Sequence, residues 1–194
     1  DQLYANLKSF ISKEEIAFNI IVNNTGGPPG GKLSEASTDE LQFAFNLHLL
    51  AFHKILLACL SGMKSNEYGR IINIISTSVK QPLDGLGVSN TIRGAVANWS
   101  KTLANELGVY NITVNNVLPG ATNTNRLKEI IQKKSTKLNL SEEELQKKME
   151  GEVPLRRIAN PNEVADAVLF LASKKASYIN GVNLPVDGGR TKSL

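Results

Sequence analysis

The chain has 194 residues, 41% of them hydrophobic, and a formal net charge of +4, enough for one domain with a sizeable core. Its cations are interleaved with glutamates, as in KKSTKLNLSEEELQKKMEGE at 133–152, and no basic stretch alternates with aromatics, so nucleic-acid binding ranks a distant third among the functions considered. No uninterrupted apolar run approaches the roughly 20 residues of a membrane helix, the opening DQLYANLKSF lacks a signal-peptide pattern, and the lone Cys59 cannot form an internal disulfide, so a reducing cytoplasm is expected.

Residues 17–24, AFNIIVNN, form an apolar run rich in Ile and Val that ends in TGGPPGGK, which predicts a buried strand and then a loop. A Ser37-Thr38-Asp39 cap cluster opens a helix to about Met63, with Gly62 and Gly69 marking its end. RIINIIS at 70–76 is a second strand, followed by a loop at Pro82 and Asp84-Gly85. Val88, Ile92, Val96, Trp99, Leu103 and Leu107 share one stripe of a helix over 88–108. NITVNNVL at 111–118 is a third strand, closed by Pro119-Gly120.

From about 124 to 150 the sequence is polar and helical, with Ser141 and Glu144 spaced as a capping box. Pro161 opens a short amphipathic helix, and GVNLPVD at 181–187 is a last strand before Gly188-Gly189. Alternating strands and helices predict an α/β fold, a doubly wound Rossmann-like parallel sheet in one domain spanning 1–194.

NNTG at 23–26, GRIINIIS at 69–76, TVNNVLPG at 113–120 with Thr124, and VNLPVDGG at 182–189 follow one another on strand ends. In that order they resemble the landmarks of the short-chain dehydrogenase/reductase family, especially an atypical branch similar to the 3-oxoacyl-acyl-carrier-protein reductases. The resemblance implies NAD- or NADP-dependent interconversion of a carbonyl and an alcohol by an Asn, Ser, Tyr and Lys constellation. It assigns Asn46 to the Asn that holds a relay water, the alternative being an Asn that bonds locally within its helix. Ser76 takes the place of the substrate-orienting hydroxyl, with Thr77 and Ser78 as neighbouring candidates.

Counting on from Ser76, the Tyr and Lys places hold Ser89 and Arg93. The i, i+4 spacing puts both on one helix face, where a cation lowers a phenol's pKa. Serine is a far weaker acid than a phenol of pKa about 10, and arginine does not release its proton near neutrality. The family likeness places the cofactor against Asn23, Asn24, Gly26, Arg93, Pro119, Gly120, Thr122 and Thr124, and a substrate lid over 121–160. It also implies a homodimer or homotetramer paired through the helices 39–63 and 88–108, and a small carbonyl or alcohol substrate.

Tyr4 and Lys8 repeat the Tyr-x-x-x-Lys spacing but precede the first strand, so they are a chance match. His48 and His53 do not stack for a metal and no Cys or carboxylate cluster joins them, so no metal site is expected. A Gly-rich pyrophosphate turn after a first strand is missing; GGPPGG at 26–31 carries two prolines without N–H donors and reads as a loop lining the site. The expectation is therefore of the C-terminal part of the fold only, with strand 17–24 as an unpaired edge. Two functions follow: an oxidoreductase in the parent protein, with the chain itself inactive and possessing no bound cofactor, or a non-catalytic homologue that binds a nucleotide or ligand or serves as a partner subunit.

Overall fold

A computed structural model describes residues 2–193. Its sheet has four parallel strands in the order β1 (Ile20–Asn23), β2 (Gly69–Ile74), β3 (Ile112–Pro119) and β4 (Asn183–Val186). Helix α1 (Gln2–Lys13) precedes β1, and α2 (Thr38–Phe45) with α3 (Ala51–Ser65) leads to β2. Helix α4 (Gly87–Leu107) joins β2 to β3, and α5 (Asn125–Leu138), α6 (Glu142–Gly151) and α7 (Pro161–Ala172) lead to β4.

Helices cover both sheet faces, which is why β2 and β3 are buried along nearly their whole length and read as continuous apolar runs. Ile71 faces one way, into a core with Leu56, Met63 and Leu103 of α3 and α4; Ile72 faces the other, against Val164 and Leu171 of α7. The doubly wound arrangement expected from the sequence is thus present. Strand β1 is an edge, with Ile21 and Asn23 turned inward and Ile20 and Val22 47% and 46% exposed.

Asparagines link all four strands. Asn23 Nδ2 donates to Asn73 Oδ1 (2.7 Å), Asn73 Nδ2 to Asn116 Oδ1 (3.1 Å), and Asn116 Nδ2 to Asn183 Oδ1 (2.7 Å). These residues are cross-strand partners in the sheet register, and Ser100 of α4 joins the ladder from above, accepting from Asn73 Nδ2 at 2.9 Å. Buried amides need such partners, because an unmet one costs about 1–3 kcal/mol.

Several boundaries differ from the sequence reading. Helix α3 continues through Gly62, where a Cβ would lie 2.9 Å from the Cβ of Ala17, so this glycine serves a close approach and does not end the helix. The polar stretch forms two helices, divided at Asn139, which adopts a left-handed φ of 51°. The capping boxes at Ser37–Glu40, Ser141–Glu144 and Asn160–Glu163 open α2, α6 and α7.

Between α2 and α3, Asn46–Leu50 forms a wider π-helical turn in which the Ala51 N–H reaches back five residues to the Asn46 carbonyl. The helix is continuous over Thr38–Ser65, 28 residues with a mean hydropathy of 1.7 in its most apolar window. Length and composition alone would let it cross a membrane, a test that the core helix of a globular domain also passes. In the fold, its Ala44, Phe52, Leu56, Cys59 and Met63 are core residues.

Candidate active site

The C-terminal ends of β1, β2 and β3 open onto one rim, where loops in parallel α/β sheets bind ligands. The loop after β1 is fastened to the start of α4. Gly31 donates its N–H to the Gly85 carbonyl (2.8 Å), and Gly87 donates to the Gly31 carbonyl (3.0 Å). A Cβ on Gly87 would sit 2.4 Å from the Leu33 nitrogen, so only glycine permits this contact. The first turns of α4, carrying Ser89 and Arg93, are thereby held against the rim.

Ser76 lies just beyond β2, half-buried, and its Oγ accepts the Ser78 N–H at 3.1 Å. Its hydroxyl proton is left to donate. Thr77 and Ser78 are buried, and Ser78 Oγ has no partner, so Ser76 is the most open hydroxyl of the three. Ser89 is half-buried. Arg93 is only 6% exposed, donates from Nη1 to the Ile74 carbonyl at 2.9 Å, and leaves Nε without a partner. Burial pulls its pKa down to about 10, still leaving it cationic at neutrality.

Asn46 does not join this group. It is exposed, and its Oδ1 accepts from Gln42 Nε2 one turn earlier at 3.1 Å, the contact that the local-bonding alternative describes. The wider turn sends a different side chain inward. His48 is fully buried, its Nδ1 lies 2.5 Å from Thr25 Oγ1 at the end of β1, and its Nε2 has no partner. Desolvation, reinforced by the neighbouring Arg93 cation, lowers its pKa to about 4, so the ring is neutral. The sequence held one signal for it: Ala44, His48 and Phe52 recur at i, i+4 on the apolar stripe. His53 is engaged elsewhere, 3.3 Å from Trp99 Nε1.

Of the residues expected to hold a cofactor, Asn23 has its side chain inside the sheet in the asparagine ladder. Asn24 and Gly26 are exposed at the rim, and nothing lies within 4 Å of a Cβ built on Gly26 or Gly27, which leaves an open lip. Gly120 has a steric role, since a Cβ there would lie 2.7 Å from the Asp187 Cα. Pro119 ends β3, Thr122 Oγ1 donates to the Gly120 carbonyl (3.1 Å), and Thr124 caps α5.

The segment 121–160 closes at its base: Ala159 donates to the Ala121 carbonyl (3.0 Å) and Asn123 to that of Ala159 (2.9 Å). Arg126 of α5 reaches the Pro28 carbonyl (3.2 Å), joining this segment to the loop after β1. Tyr4 and Lys8 sit on α1 with the ammonium 5.6 Å from the ring centroid, as expected of a pair outside the site. The open lip at Gly26-Gly27, the orphaned Arg93 Nε and the Thr122–Thr124 turn fit the ribose and nicotinamide end of a dinucleotide.

The chain belongs to the short-chain dehydrogenase/reductase family, an oxidoreductase family. The family profile described as Enoyl-(Acyl carrier protein) reductase matches residues 2–191. Over 176 residues the chain is 30% identical to the NADPH-dependent reductase BacG of Bacillus subtilis, covering 91% of this chain and 68% of that one. It is 33% identical over 193 residues to the 3-oxoacyl-[acyl-carrier-protein] reductase FabG of Vibrio harveyi, with coverages of 97% and 72%. The crystal structure of YwfH, an NADPH-dependent reductase involved in bacilysin biosynthesis, superposes with a TM-score of 0.93 at 28% identity, covering all of this chain and 75% of YwfH. L-sorbose reductase of Gluconobacter frateurii, solved with NADPH and L-sorbose, gives 0.90 at 30% identity over 99% of this chain and 73% of its own.

Proposed function

We propose that the protein interconverts a small carbonyl compound and its alcohol with NADPH or NADH, Ser76 orienting the substrate oxygen and Arg93 holding the cofactor ribose. The observation that carries this reading is the meeting, on one rim, of an available Ser76 hydroxyl, a buried guanidinium with an orphan Nε and an open glycine lip. The nicotinamide supplies the hydride when bound. Asn24, Gly26, Thr122 and Thr124 line its path, and neutral His48, fixed by Thr25, sets the local polarity beside Arg93 without adding a second cation. Ser76 donates its O–H to the carbonyl oxygen. Ser89 lacks the acidity of a phenol, so it passes protons only between water and substrate, and turnover is slow.

Helices α5 and α6 act as the substrate lid, a role favoured by their own small core of Leu127, Ile131 and Leu145 above a pinned base. Pairing into a dimer or tetramer through α3 and α4 accords with the exposure of Leu57. A second reading, binding without turnover, is favoured by Ser89 together with the commitment of Arg93 Nη1 to the Ile74 carbonyl.

Fluorescence titration with NADPH and NADH, followed by a carbonyl-reduction assay, separates the two. Binding with slow turnover is expected, binding with none supports the second reading, and no binding defeats both. The double variant S89Y/R93K should raise kcat at least tenfold, given the roughly 10²–10⁴-fold contribution of a positioned acid.

A further inference from the structure

A cavity of about 250 Å³ is walled by Thr77, Gln81 and Leu83 of the loop after β2, by Glu152 below α6, and by the tail at 190–192, Thr77 being the residue that follows Ser76. The tail is a built element. Asp187 accepts the N–H groups of Gly189 (2.9 Å) and Thr191 (2.8 Å), and Lys192 donates its N–H to Gln81 Oε1 (3.3 Å). This folding turns Arg190 and Lys192 toward the cavity against one carboxylate, Glu152, whose Oε2 accepts from Arg190 Nη2 at 2.8 Å. Two cations facing one anion leave a surplus positive charge, and the guanidinium fork retains further donors suited to a planar carboxylate.

We infer that this cavity takes the carboxylate of a small oxo acid, held by Arg190 and Lys192, with the carbonyl directed toward Ser76. The inference rests on the oxidoreductase reading above and names its substrate class. The volume lies below the usual ligand range of roughly 300–1,000 Å³, which suits the headgroup of a short acid. Thr77 lines the cavity and is the immediate chain neighbour of Ser76, so a molecule anchored at the tail lies on the Ser76 side of the loop after β2.

The test is calorimetric binding of 4-oxopentanoate and its methyl ester to the full chain without cofactor. The acid should bind at least tenfold more tightly than the ester and weaken as salt is raised. Arg190→Gln should remove most of that preference; Lys192→Gln, on the exposed tail where folding is not at stake, should reduce it several-fold. Equal affinity for acid and ester, no binding of either, or a preference indifferent to both substitutions would overturn the inference. An NADPH titration of the same preparation reports separately on the parent reading: NADPH binding without carboxylate preference sinks only the substrate class, whereas the preference without NADPH binding supports the class and sinks only the cofactor-dependent reading.

Discussion

His48 is the residue with the sharpest measurable signature. Its pKa, at about 4 against the usual 6.5, means the unfolded chain binds a proton in that interval while the folded one does not. Stability is therefore complete above pH 6.5 and declines as the pH falls toward 4, at about 1.4 kcal/mol per pH unit. An NMR titration should find the His48 ring titrating near pH 4, and His48→Asn should flatten the loss of stability measured by urea unfolding between pH 6.5 and 4. A ring that titrates near 6.5 would remove the argument for a neutral imidazole beside Arg93. The sequence displayed His48 but invited a metal question about it. Nothing in the residues around Asn46 announces the widened turn in which it bonds to Gln42 while His48 turns inward. Ser76, Ser89 and Arg93 could be located by counting along the chain because a strand, a short loop and an α-helix keep their spacing.

At the scale of elements, the fit between α4 and the loop after β1 depends on a missing side chain. Gly87→Ala would press a Cβ against the backbone nitrogen of Leu33, which cannot yield as a flexible side chain would. A loss of about 1–3 kcal/mol in chemical unfolding is expected, as for other overpacked contacts, together with weaker NADPH binding as Ser89 and Arg93 shift. Unchanged stability would mean the loop and helix are less tightly coupled than their paired hydrogen bonds indicate. The cap at Ser37 and the capping box at Ser141–Glu144 were readable because a cap is a local device, complete within four residues. Gly62 was misread as a terminator because its reason, Ala17, lies 45 positions away in the chain.

For the whole molecule, the alternation of β1 leaves Ile20 and Val22 outward on an open edge. Such an edge recruits other chains, so this 194-residue chain should self-associate with concentration, and Val22→Lys should shift light scattering toward the monomer without lowering Tm. A monomer at all concentrations would refute that. The sheet also carries a gauge. Parallel strands apolar on both faces have little in their side chains to fix how far each is advanced against the next, whereas a one-residue slip would break every amide pair among Asn23, Asn73, Asn116 and Asn183. Thr25, Ser76 and Thr122 lie two, three and six residues beyond three of these rungs. The asparagines thus act as a buried measuring bar whose markings are read at the rim: by aligning the strands in the middle, they set the relative depth of the groups that meet at their ends.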